Sequence, residues 1–132
     1  MRIFLDANVL FTAAYNPSGR ARLLIDQLET KIITSDYAAE EARKNIHAKK
    51  PEALEDLEKL LSQIAILPSV NGPVCPIALP EKDRPIFLAA LANKATHLLT
   101  GDKKDFGCHM NNPKKTYGVV IQTVRDFLDS LD

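Results

Sequence analysis

The chain has 132 residues, 45% of them hydrophobic and 26% charged, values that suit one domain with a real core and exclude a disordered segment. Lys plus Arg and Asp plus Glu are both 17, and a net charge of zero argues against a broad basic surface coating duplex nucleic acid. It leaves room for basic patches beside an acidic cleft.

Residues 2–5 read as a short buried strand, a run of β-favouring side chains without the alternation of a half-exposed sheet. Asn16-Pro17-Ser18-Gly19 is a turn, and Ser18 is the expected cap of a helix whose apolar stripe is Leu23, Leu24 and Leu28. Lys31 to Thr34 gives a second strand. Ser35 is placed to cap a helix that runs towards Lys50 and stops at Pro51. The next helix carries Leu54, Leu57, Leu60, Leu61 and Ile64 on one face, and Ile64 to Leu67 is the third strand candidate.

Pro68 to Pro80 holds four prolines and a glycine, so it reads as loop. Asp83-Arg84-Pro85 then starts a helix, with Asp as cap and Pro in the first turn, and its Ala89, Ala90 and Ala92 allow close approach to a sheet. His97 to Thr100 and Val119 to Ile121 are the fourth and fifth strands, and Thr123 caps a last helix carrying Val124, Phe127, Leu128 and Leu131. Strands alternating with helices imply an α/β fold with a mostly parallel sheet of about five strands. With no composition break and no repeat, residues 1–132 are expected to form one domain.

Cys75 and Cys108 show no CxxC or zinc-type spacing, no apolar run approaches the roughly 20 residues of a membrane span, and no signal-peptide layout follows Met1. Free thiols, no membrane and a cytoplasmic location are expected.

The chemistry rests on acids. Asp6, Glu41, Asp83 and Asp102 each follow an apolar run or stand near the mouth of a helix. In a parallel sheet the carboxyl ends of the strands share one edge, and ligands bind there. Four carboxylates meeting at that edge would repel one another, raising at least one pKa, whereas a divalent cation would turn them into a hard-oxygen site. Each acid also has a plainer reading. Asp6 would cap the helical segment after it, and Asp83 the alanine-rich helix. Gly101 is expected to permit the turn that aims Asp102 outward, and Asp105 either reaches the same cavity or holds the loop. Glu41 has a rival in Glu40: neighbouring helical residues point about 100° apart, so at most one faces the cleft. Asn45 stands four residues on from Glu41. Glu81 and Lys82 read as ordinary solvated loop residues. Arg43, Lys103 and Lys104 are candidates for a nucleic-acid backbone, or simply solvated charges. His47 and His109 lack ligand spacing, no serine lies in a GxSxG setting, and Asn8 stands where an aspartyl-phosphate enzyme would carry a second acid.

The order of these motifs closely resembles the PIN-domain ribonucleases, a family of small metal-dependent nucleases that includes many toxins of toxin–antitoxin pairs. The resemblance runs from Ile3-Phe4-Leu5-Asp6-Ala7-Asn8-Val9-Leu10, through Thr34 to Ile46 and Lys82-Asp83-Arg84-Pro85-Ile86, to His97-Leu98-Leu99-Thr100-Gly101-Asp102-Lys103-Lys104-Asp105-Phe106 and Tyr117 to Ile121. Val124 departs from it, since close relatives often have proline there, and Cys108 to Lys115 matches no motif. The resemblance implies a three-layer α/β/α sandwich. It implies Mg²⁺ or Mn²⁺ held by Asp6, Glu41, Asp83 and Asp102, with Asp105 as an accessory and the Thr100 hydroxyl near the site. It further implies a single-stranded RNA substrate, an antitoxin partner and a homodimer; Asn8, Thr100, Arg43, Lys103 and Lys104 are the residues expected to meet the RNA. The alternative is a non-catalytic domain of the same fold that binds RNA or protein.

Overall fold

The computed structural model describes residues 1–70 and 74–131, so positions 71–73 of the proline-rich loop lie outside the described residues. Five strands, β1 (Ile3–Leu5), β2 (Ile32–Ser35), β3 (Ala65–Leu67), β4 (His97–Leu99) and β5 (Val120–Gln122), pair in the order β3-β2-β1-β4-β5. Every pairing is parallel. The centre of the sheet is covered on both faces, which is why all side chains of β1 and β2 are buried and the local sequence shows no alternation. β3 is an edge strand, with Ala65 and Ile66 exposed.

Seven α-helices surround this sheet: α1 (Ala7–Tyr15), α2 (Arg20–Leu28), α3 (Asp36–Lys49), α4 (Leu54–Gln63), α5 (Arg84–Ala92), α6 (Lys103–Phe106) and α7 (Val124–Ser130). The chain steps one way from β1 to β2 to β3, then back across the sheet to β4 and on to β5. Right-handed crossovers therefore put α1 to α4 on one face and α5 and α6 on the other. The packing of α1 on α2, α3 and α4, and of α5 on β2 and β4, agrees with this. The result is the expected three-layer α/β/α sandwich. Among the described residues no helix is long and apolar enough to cross a membrane, and Cys75 and Cys108 are free thiols.

The caps expected of Ser35 and Thr123 form: Ser35 Oγ accepts the Ala38 N–H at 3.1 Å and Thr123 Oγ1 accepts the Asp126 N–H at 3.1 Å. Two others do not. Gly19, not Ser18, is the N-cap residue of α2, because the Ser18 hydroxyl is drawn back into its own turn, donating to Asn16 Oδ1 at 3.1 Å. With the helix starting one residue later, α2 buries Ala21, Leu24 and Ile25 and leaves Leu23 exposed. Asp83 occupies the N-cap position of α5 without capping it; Pro85 has no N–H to offer, and the carboxylate turns elsewhere. Of the small residues in α5, Ala89 and Ala90 are buried while Ala92 faces solvent.

α1 and α3 pack together and both bury alanines, Ala13 and Ala14 on one and Ala38, Ala39 and Ala42 on the other. Small side chains let two helices share one face of a short sheet. Enlarging one of them should therefore hurt. Ala42→Leu is expected to lower unfolding stability by about 1–3 kcal/mol through overpacking, read as a lower urea midpoint with an unchanged m-value.

Candidate active site

β1 and β4 lie side by side at the point where the crossovers change direction, the position at which open α/β sheets bind ligands. Their register pairs Leu5 with Leu99, so the next residues, Asp6 and Thr100, emerge together. The Asp6 backbone N–H still donates to the Leu99 carbonyl at 3.0 Å. Beyond it, side chains close the gap. Thr100 Oγ1 donates to Asp6 Oδ2 at 2.8 Å, and Asn8 Nδ2 reaches both Asp6 Oδ2 and Thr100 Oγ1 at 3.2 Å. Asn8 Oδ1 accepts the Gly101 N–H at 2.7 Å, and Thr100 Oγ1 accepts the Asp102 N–H at 3.1 Å. Asp6 Oδ1 takes the Ala7 N–H at 2.7 Å, capping α1. Asn8 and Thr100 thus turn their hydrogen bonds inward and hold the two strand ends together. Gly101 does not adopt a left-handed backbone. A Cβ there would meet Asn8 Oδ1 at 3.4 Å, an ordinary contact, so the turn that presents Asp102 does not require glycine.

A pocket of about 200 Å³ opens at this edge, lined by Asp6, Ala7, Asn8, Tyr37, Glu41, Asn45, Lys82, Asp83, Ile86 and Asp102. Asp6, Glu41, Asp83 and Asp102 come from four different segments, and the fold brings them to one place. Glu41 and Asn45 face it together from α3, as their four-residue spacing requires. Glu40 points away, 3.7 Å from Arg43. Arg43 is committed to the surface too, gripping both carboxylate oxygens of Glu58 at 2.8 and 3.0 Å. Lys103 and Lys104 are exposed on α6, directly after Asp102.

The tightest grouping is Asp83, Asp102 and Asp105, which offer oxygens within 4.8 Å of one another. Asp102 also caps α6, its Oδ1 accepting the Asp105 N–H at 3.0 Å, which fixes the two acids relative to each other. Lys82, which as sequence looks like loop, sends its ammonium into the group: Nζ lies 2.9 Å from Asp105, 3.3 Å from Asp83 and 3.8 Å from Asp102. The Tyr37 hydroxyl donates to the Lys82 carbonyl at 2.8 Å. Both residues lie within the segments that carry the family resemblance, but nothing in the sequence assigned either a part in the site. Only the return of α5 to the sheet edge brings them in.

Crowded acids leave an electrostatic signature. Burial pushes the Asp83 carboxyl up to about 6, aided by a hydrogen bond with Asp105 and opposed by Lys82. Burial also raises Asp6, against the hydrogen bonds from Thr100 and Ala7, with the charge of Asp102 adding to the rise. Raised carboxyls were expected from mutual repulsion; desolvation turns out to be the larger cause in both. Asp105 is held below the ordinary carboxylate range, chiefly by Lys82. A set of oxygen-only donors, negatively charged and partly desolvated, fits a hard divalent cation such as Mg²⁺ or Mn²⁺ and offers no thiolate or imidazole to a softer one.

No protein-family model matches the chain, and no curated protein matches it. Solved structures do. DNA-bound VapBC from Salmonella typhimurium superposes with a TM-score of 0.70 at 13% identity, covering 94% of this chain and 98% of that one. VapC20 of Mycobacterium tuberculosis, a toxin that cleaves the sarcin–ricin loop, gives 0.58 at 13% identity over 76% and 91% of the two chains. The PIN domain of RRP44 from T. brucei gives 0.57 at 15% identity over 98% and 80%. At such identities the likeness is one of fold, and the fold is that of PIN domains, as the order of sequence motifs led us to expect.

The raised Asp83 pKa makes a stability prediction. Below about pH 4 the carboxyl is neutral in folded and unfolded chains and has no effect; between the ordinary 3.8 and about 6 only the unfolded chain releases the proton; above 6 the full desolvation cost is present. Stability should fall as pH rises through that window. In the presence of chelator, Asp83→Asn should raise stability at pH 7 by about 1 kcal/mol, screening included, and flatten the profile between pH 4 and 6. Superimposable pH profiles of the two proteins, measured by urea unfolding, would refute this.

Proposed function

We propose that this chain is a divalent-metal-dependent endoribonuclease that hydrolyses phosphodiester bonds of single-stranded RNA, and that it is the toxin of a toxin–antitoxin pair. The observation that carries the reading is the convergence of Asp6, Glu41, Asp83 and Asp102 on one pocket at the carboxyl edge of a PIN-type sheet. In this reading Asp6, Asp83 and Asp102, with Asp105 beside them, would hold Mg²⁺ or Mn²⁺, and Glu41 would hold a second ion or a water. A cation bound there supplies charge that lowers the pKa of water and neutralises the transition-state phosphorane oxygens.

The chain's own residues have separable tasks. Thr100 and Asn8 keep Asp6 immobile, so that the site's geometry is set before substrate arrives. Burial and hydrogen bonding keep Asp6 from moving with solvent, while Glu41, exposed on α3, can follow a water or a second ion. Lys103 and Lys104, exposed beside Asp102, would meet the RNA backbone, whereas Arg43, tied to Glu58, is less available for it. No cysteine, serine or histidine nucleophile is needed.

The likeness to VapBC structures supports an antitoxin partner, and a second copy of this chain is proposed beside it. Residues 1–132 would act as one domain in the cytoplasm.

Two measurements test the reading. Asp102→Asn keeps an oxygen able to cap α6 but removes a charge from the pocket, so cleavage of unstructured RNA in Mn²⁺ should fall at least about 100-fold with the fold intact by circular dichroism. Undiminished cleavage by this variant, or by wild type in excess chelator, would overturn the mechanism. Separately, K103E/K104E should weaken RNA binding and reduce the slope of log Kd against log salt by up to about 2. An unchanged slope would place the RNA elsewhere.

A further inference from the structure

Among the described residues, Lys82 alone brings a side-chain cation within 4.0 Å of Asp83, Asp102 and Asp105. Those are the acids whose oxygens come closest together, within 4.8 Å. An ammonium 2.9 to 3.8 Å from all three fills the space where a divalent ion would have to sit among them. We infer that Lys82 is an intramolecular competitor of the metal: its ammonium must leave the carboxylates before a divalent cation can enter, and it thereby sets the metal affinity of the site. The inference rests on the metal-dependent reading above and adds to it a residue that tunes the site without serving as a ligand.

Three features fit Lys82 to this part. Its backbone is pinned while its side chain is free. The carbonyl is held by the Tyr37 hydroxyl at 2.8 Å, and the following N–H, that of Asp83, is bound to the Pro80 carbonyl at 2.9 Å, closing a tight turn over the pocket. The side chain is 67% exposed, so the ammonium can swing into water on its four-carbon stem without disturbing that turn. Three carboxylates against one ammonium also leave the cluster with excess negative charge, which a divalent ion offsets better than a monovalent one. The pull of the group on Lys82 shows in its contacts, Nζ donating to Asp105 Oδ2 at 2.9 Å and to the two Asp83 oxygens at 3.3 and 3.4 Å.

Metal binding itself, not turnover, tests this. Purified wild type, K82M, K82R and K103M should be titrated with Mn²⁺, following free Mn²⁺ by electron paramagnetic resonance, and melted with and without the ion. K82M should bind Mn²⁺ roughly three- to tenfold more tightly than wild type, the range expected from losing one partly exposed ion-pair cluster. It should also melt lower in chelator and gain more from the ion, because the acids have lost their internal counter-ion. K82R, which keeps the cation, should stay within about twofold of wild type. Lys103 is a neighbouring charge that makes no contact with the cluster, so K103M should change affinity much less. If K82M binds no tighter than a wild type that itself binds Mn²⁺, the inference falls and the metal-dependent reading stands. If K103M gains as much as K82M, the effect is one of net charge and the inference falls as well. If neither wild type nor K82M binds Mn²⁺, both the reading and the inference are overturned.

Discussion

The buried hydrogen bond from the Thr100 hydroxyl to the Asp6 carboxylate, 2.8 Å long, is the contact on which the rest of the site depends. Parallel pairing delivers the ends of β1 and β4 to the same edge but cannot by itself hold what lies beyond the last ladder bond. Asp6 extends the ladder through its backbone, Thr100 through its side chain, and Asn8 ties both to the Gly101 N–H. The strand ends are thereby carried one residue further as side-chain structure. Asp102 inherits its position from this clasp, because its own N–H is bound to the same Thr100 oxygen.

A carboxylate as buried as Asp6 would be costly if left unpaired, and here three donors offset the loss of water. The opposite half of the site is managed differently. Asp83, Asp102 and Asp105 share a single exposed ammonium, Asp102 and Asp105 are joined by a helix cap, and Asp83 remains raised in spite of the ammonium. One side of the pocket is therefore locked by hydrogen bonds from neutral donors to the Asp6 carboxylate. The other is held by charges that an incoming cation can rearrange.

Much of this was legible in the sequence. Ile3-Phe4-Leu5 and Ile32-Ile33-Thr34 show the unbroken apolar runs of a doubly covered sheet, and the structure buries them fully or nearly so. The convergence of Asp6, Glu41, Asp83 and Asp102 followed from their positions relative to those runs, and the four-residue step from Glu41 to Asn45 leads to the same side of α3 as the pocket, leaving Glu40 to Arg43. What escaped depended on contacts distant in the chain or on competition within one turn. Ser18 lost α2 to Gly19 because its hydroxyl found Asn16 first. Asp83 has the sequence signature of a cap, yet its carboxylate serves the pocket. Lys82 opens one of the motifs that carry the resemblance, yet a lysine beside an aspartate reads as solvated until Asp102 and Asp105 arrive from the far side of β4.

The division between a rigid and an adaptable half explains why the acids need not sit at equal distances. An enzyme that used a rigid cage of four carboxylates would carry the whole repulsion in every state of the protein, at a cost to folding. Fixing Asp6 with neutral donors, spacing Glu41 out on an exposed helix, and letting Lys82 neutralise the closest three spreads that cost over separate devices. Each can be relaxed alone: a cation entering the cluster would need to displace one exposed ammonium, while the β1–β4 clasp, which positions Asp6 and Asp102, stays as it was. In the proposed reading, the fold would remain stable before a metal and substrate bind and would still present negatively charged oxygens, already in place, to receive them.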